Sequence, residues 1–151
     1  MYDLMIIGSG PAGISAALTA KARNLNFIWF GSRALSTKIE KAEKIMNYPG
    51  LPAVTGSEMQ SVFLKQIDDC GITITESQVN SIYDCGGYFA AGADNEIYEA
   101  KAVIMTVGMT TTREIEGEAR LLGCGVSYCA TCDGALYKNK DIAVILSLIH
   151  I

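Results

Sequence analysis

The sequence predicts an α/β fold, and three observations predict it. Wholly apolar runs recur at Leu4-Met5-Ile6-Ile7, Phe27-Ile28-Trp29-Phe30 and Ala102-Val103-Ile104-Met105, the pattern of strands buried on both faces of a parallel sheet. A glycine-rich turn, Gly8-Ser9-Gly10-Pro11-Ala12-Gly13, follows the first run directly. Small, helix-forming residues then continue from Ala12 to Ala22, with Ile14, Ala17 and Leu18 at helical spacing,. Strand, tight turn, helix and strand make one β-α-β unit, so the expected architecture is Rossmann-like.

The rest of the chain follows in order. Ser57 and Gln60 have capping-box spacing, and Met59, Val62, Phe63 and Ile67 then share one side of a helix that ends at Gly71,. Strand-like pieces come next at residues 72–75, 78–83, 88–91 and 97–98. Turns at Cys85-Gly86-Gly87 and Ala93-Asp94-Asn95 separate the later ones, which predicts a small antiparallel meander inserted after the helix. The run at 102–105 is then a buried strand closing on Gly108. The polar segment Arg113-Glu114-Ile115-Glu116-Gly117-Glu118 reads as a crossing into a second α/β domain,. Beyond it are expected a helix from Thr131 to Tyr137 and a strand over 142–145. The domain reading is therefore 1–113, 114–145 and a separate tail, 146–151.

Composition narrows the function classes. The chain has 151 residues, half of them hydrophobic, enough for a real core,. Its formal net charge is -4 and no run of Lys and Arg forms a basic stripe, which argues against nucleic acid as a partner. No apolar stretch approaches the roughly 20 residues of a membrane helix. Met1-Tyr2-Asp3 lacks the positive charge of a secretory leader,. With five cysteines, an odd number, a reducing, cytoplasmic location is expected, where a Cys pair is more often catalytic than structural.

Two motifs carry chemistry. In the glycine turn, Gly8 makes the bend, Gly10 lets a pyrophosphate approach the backbone, and Gly13 lets helix pack on strand. Pro11 and Ala12 open a helix whose N-terminal N–H groups face phosphate. The second strand ends on Phe30-Gly31-Ser32, without the acidic residue that usually binds a ribose hydroxyl,; Ser32 or Arg33 is the substitute. The second motif is Cys129-Ala130-Thr131-Cys132-Asp133-Gly134. Its two thiols lie within bridging reach across one turn, a helix start there lowers the leading thiol's pKa, and Asp133 can exchange the proton that thiolate chemistry needs. A zinc site needs two more ligands at metal spacing. The single histidine, His150, and the extra Cys124 do not supply them, so no metal is expected.

Together these motifs resemble the low-molecular-weight thioredoxin reductase family, through Ile145. Asn47-Tyr48-Pro49-Gly50, Thr106-Val107-Gly108 and Gly117-Glu118 resemble further family segments. The resemblance implies FAD as cofactor, with Gly8, Gly10, Pro11, Ala12, Gly13, Ser32, Asn47, Thr106 and Gly108 binding it. It implies that Cys132 faces the flavin, Cys129 attacks the thioredoxin disulfide, and Asp133 protonates the leaving thiolate. NADPH is the implied donor and a homodimer the implied state of a full-length parent. Where many members have paired glycines, this chain has Ala34-Leu35-Ser36-Thr37-Lys38-Ile39-Glu40-Lys41, which resembles variants that take electrons from ferredoxin.

The family's second nucleotide fingerprint is expected after residue 145 and does not follow there, so about half of a member is expected in this chain. Leu146-Ser147-Leu148-Ile149-His150-Ile151 matches the in-frame translation of a library adapter and is read as a non-native tail. Two other readings stand beside the reductase: a non-catalytic, flavin-binding fragment, and the flavoprotein subunit of a peroxiredoxin reductase. Cys70 and Cys85 read as structural, Trp29, Met46 and Tyr48 as core residues, and Lys38, Lys41 and Lys44 as a solvated face.

Overall fold

The computed structural model describes residues 1–108, 116–121, 124–127 and 134–144. Five strands form one sheet in the order β2-β1-β5-β4-β3: β1 is Tyr2–Ile7, β2 Phe27–Phe30, β3 Val79–Asp84, β4 Phe89–Ala93 and β5 Glu96–Met105. The first helix, α1, spans Pro11–Ala22, and α3 spans Gly56–Asp69. A short helix, α2, covers Thr37–Glu40 between them. Beyond the sheet lie α4, Glu118–Leu121, and a 3-10 turn, Gly134–Tyr137.

Alternation along β1 divides the core in two. Leu4 and Ile6 point to one face, where they meet Ile14 and Ala17 of α1, Trp29 of β2, and Met59, Phe63 and Ile67 of α3. Met5 and Ile7 point to the other face, against Ile28, Phe30, Ala91, Ala93 and Ala100. Successive strand side chains point to opposite faces, so a strand apolar at every position needs cover on both. Helices cover one side of β1, and residues of the antiparallel strands pack on the other.

The meander is present, but it is not a separate insert. The pieces at 97–98 and 102–105 are one strand, β5, because no breaker separates them. Its first half pairs antiparallel with β4 and its second half parallel with β1. Ala100 joins both ladders, opposite Phe89 and Tyr2, and is fully buried. A small side chain fits where one strand serves two neighbours.

Five local expectations change. The run at 102–105 is a strand but not a buried one, since Ala102, Ile104 and Met105 are exposed. The capping box is Thr55 with Glu58, not Ser57 with Gln60: Glu58 N–H donates to Thr55 Oγ1 at 3.2 Å, and Thr55 N–H donates to Glu58 Oε2 at 2.8 Å. Gly56 lies inside the helix because it packs on α2, where a Cβ would meet the Ile39 carbonyl oxygen. Residues 72–75 are not a strand; they make a single parallel bridge, Thr75 to Phe30. Of the helix expected over 131–137, the described part is the 3-10 turn, and residues 142–144 form no strand. Ile142 and Val144 are exposed, with no described strand beside them to complete a ladder.

Candidate functional site

The glycine turn sits between the C-terminal ends of β1, β2 and β5. Gly8 takes φ +113°, and a Cβ there would lie 2.3 Å from the Thr106 carbonyl oxygen. A Cβ on Gly13 would fall 1.9 Å from the Gly8 carbonyl oxygen. Both positions therefore exclude a side chain. Gly10 differs: a Cβ there meets nothing within 4 Å. It is the N-cap of α1 in extended backbone, makes no side-chain cap, and precedes Pro11 at the helix start. The helix presents uncapped N–H groups over open space, with partial positive charge and no side chain in the way.

Three groups hold this turn. Gly8 N–H donates to the Phe30 carbonyl at 2.8 Å. The Trp29 indole N–H donates to the Gly8 carbonyl at 2.9 Å. Thr106 Oγ1 lies 2.9 Å from the Ile7 carbonyl oxygen and 3.0 Å from that of Gly8, so its one proton is committed to the turn. Trp29 is core, as the sequence predicts, yet it also fixes a carbonyl in the turn. Thr106, expected at the cofactor, locks the turn from below.

The end of β2 explains the missing acid. A Cβ on Gly31 would lie 2.5 Å from Ser9 Cβ, so β2 must be followed by glycine. Ser9 is buried; its hydroxyl donates to the Leu35 carbonyl at 3.1 Å and accepts the Ser32 N–H at 3.0 Å. Ser32 Oγ accepts the Ala34 N–H at 3.1 Å. The Arg33 guanidinium makes two 3.0 Å bonds to Asp68, first by hydrogen bonding and then by charge raising its pKa, while the same bond lowers that of Asp68. Arg33 N–H donates to Glu76 Oε1 at 2.8 Å. A cleft of about 430 Å³ opens there, lined by Gly31, Ser32, Glu76, Ser77 and Gln78.

The structure thus brings together Gly8, Gly10, Pro11, Ala12, Gly13, Ser32 and Thr106. Gly108 follows two residues after Thr106 at φ +69° with open space at its Cβ. Asn47 is exposed in a separate loop closed by the Ile45–Val54 bridge, and no hydrogen bond from it to the glycine turn occurs among the described residues. Its neighbour Tyr48 packs edge-on against Phe63 at 5.4 Å, whereas Met46 is 63% exposed and not core. Cys129, Cys132 and Asp133 lie outside the described residues. Ser9, Gly31 and Glu76 carry the geometry without an individual signal in the sequence, since each acts on a partner more than twenty positions away.

Comparison with known proteins finds relatives over most of the chain. The chain is 32% identical over 146 residues to the thioredoxin reductase of Bacillus subtilis, covering 96% of this chain and 46% of that protein. A ferredoxin-flavin thioredoxin reductase from Clostridium acetobutylicum superimposes with a TM-score of 0.71 at 47% identity, over 90% of this chain and 48% of that one. The thioredoxin reductase of Streptococcus pyogenes gives 0.78 at 35% identity, over 91% and 45%. The chain spans about half the length of the curated relatives it matches. Residues 2–146 match the pyridine nucleotide-disulphide oxidoreductase model, and the chain belongs to that flavin-linked oxidoreductase family, with thioredoxin reductases as its relatives.

Proposed function

We propose that this chain is the FAD-binding and dithiol-bearing part of a cytoplasmic, homodimeric thioredoxin reductase, with residues 1–113 holding the cofactor and 114–145 opening the dithiol domain. One observation supports it above the others. Of the three fingerprint glycines, the two that must pack closely leave no room for a Cβ, and the one that must admit a pyrophosphate faces open space,. Gly10, Pro11 and Ala12 place the start of α1 against that pyrophosphate,. Ser32, Gly108 and Asn47 complete the set of residues assigned to the cofactor. FAD, when bound, supplies a two-electron carrier.

The dithiol passes electrons on by exchange. Cys129 thiolate attacks the thioredoxin disulfide, forming a mixed disulfide and releasing one thioredoxin thiolate, which takes a proton from Asp133. Cys132 then attacks Cys129 sulfur, freeing the second thioredoxin thiol and leaving a Cys129–Cys132 disulfide to be reduced again.

Ferredoxin is the favoured donor, with NADPH the alternative. The 34–41 segment, which replaces paired glycines, contains α2, Thr37–Glu40, with Ser36 as its cap. The identity is also higher to the ferredoxin-flavin enzyme, 47% against 35% for the Streptococcus reductase. The test is spectroscopic. The purified chain should take up FAD and turn yellow; a folded, colourless protein that ignores added FAD rejects the reading. In the full-length protein, reduced ferredoxin should bleach the flavin, and bleaching by NADPH alone rejects the donor assignment.

A further inference from the structure

We propose that Glu76 is the ribose-recognising acid of this site, taking over in space the role that the end of β2 cannot fill. The assignment rests on the dinucleotide reading above. The physical problem is specific: Ser9 leaves no room for a side chain at Gly31, Ser32 N–H donates to Ser9 and Ser32 Oγ accepts the Ala34 N–H, leaving it a neutral hydroxyl rather than an ionised acceptor,, and the Arg33 guanidinium is paired with Asp68. No carboxylate is carried by residues 31–33.

Glu76 reaches the same place from another part of the chain. Gly31 N–H donates to the Thr75 carbonyl at 3.1 Å and Thr75 N–H to the Trp29 carbonyl at 2.7 Å, so residue 76 is fixed beside the end of β2. Its Oε1 accepts the Arg33 N–H at 2.8 Å, which orients the carboxylate, and Oε2 has no hydrogen-bond partner among the described residues. The carboxylate borders the 430 Å³ cleft shared with Gly31, Ser32, Ser77 and Gln78. A line of bonds runs from the glycine turn through Ser9 to Ser32, and Arg33 next to it bonds Glu76. The assigned role has the ribose attached to a pyrophosphate at Gly10 turned towards this carboxylate. An ionised carboxylate is acceptor-only and suits a vicinal diol, whose two hydroxyls both donate.

The test uses the 151-residue chain and calorimetric titration with ADP, 2′-deoxy-ADP and 3′-deoxy-ADP. The unsubstituted chain should bind ADP about tenfold tighter than the weaker-binding deoxy analogue, and Glu76→Gln should lower ADP affinity about tenfold and erase that preference. A general structural role would weaken all three ligands alike, which overturns the assignment. So does a preference kept by Glu76→Gln and lost in Ser32→Ala, which returns the role to Ser32. If the unsubstituted chain binds neither ADP nor FAD, the dinucleotide reading fails and takes this assignment with it; intact FAD binding with Glu76→Gln unchanged rejects Glu76 alone.

Discussion

Gly31 and Ser9 compete for one space: a Cβ on Gly31 would lie 2.5 Å from Ser9 Cβ and 2.8 Å from Ser9 Oγ. Gly31→Ala should therefore destabilise the protein by about 1–3 kcal/mol, as overpacking does. Ser9→Gly in the same chain should recover part of that loss, although it removes two hydrogen bonds. Urea unfolding of the two single variants and the double variant measures the coupling; simple additivity would show that the two residues do not clash.

Gly10 and Gly13 should respond oppositely to alanine. Gly13→Ala drives a methyl into the Gly8 carbonyl and should lower the melting temperature together with any ligand affinity. Gly10 has open space and ordinary extended backbone, so Gly10→Ala should cost less than about 1 kcal/mol of stability. Its methyl should nonetheless weaken FAD binding by tenfold or more, on the order of 1.4 kcal/mol, because it stands where the phosphate approaches. Unchanged flavin affinity in Gly10→Ala counts against the proposed cradle.

The Gly8 carbonyl is served by two donors, Trp29 Nε1 at 2.9 Å and Thr106 Oγ1 at 3.0 Å. Losing one leaves the other, whereas losing both orphans a partly buried acceptor, which costs about 1–3 kcal/mol. Trp29→Phe combined with Thr106→Val should therefore lose more stability than the sum of the single variants, measured by circular dichroism. A double variant no worse than that sum would mean the carbonyl finds another partner.

Acid should weaken the ties at the N-terminal end of β1. Asp3 accepts a hydrogen bond from Lys101 Nζ at 2.7 Å and from the Asn26 N–H at 3.1 Å, and these bonds, the Lys101 one first, hold its carboxyl below the ordinary aspartate range. A carboxylate with a depressed folded pKa adds stability above its unfolded value and loses it as pH falls through the folded one. The unfolding midpoint should thus drop on acidification from about pH 5 towards pH 2, and Asp3→Asn should make that slope shallower. An identical slope in Asp3→Asn removes Asp3 from the acid response.

Much of this protein is legible along the chain because its signals are local. Strand β1, the glycine turn and α1 are contiguous, so apolar run, glycine spacing and helix formers declare a β-α-β unit without knowledge of the rest. The Cys129-Ala130-Thr131-Cys132-Asp133 motif is equally local in its chemistry. Only the tertiary structure decides what depends on residues far apart. It makes β5 one strand shared between an antiparallel and a parallel ladder at Ala100, moves the α3 cap to Thr55 because Gly56 must touch Ile39, and turns Trp29 into a donor for Gly8. It also places Glu76 beside Arg33, 43 positions away in sequence. Periodicity and spacing report what neighbours along the chain can do; hydrogen bonds and close approaches between β1, β2, β5 and the 75–78 segment exist only once the sheet is assembled.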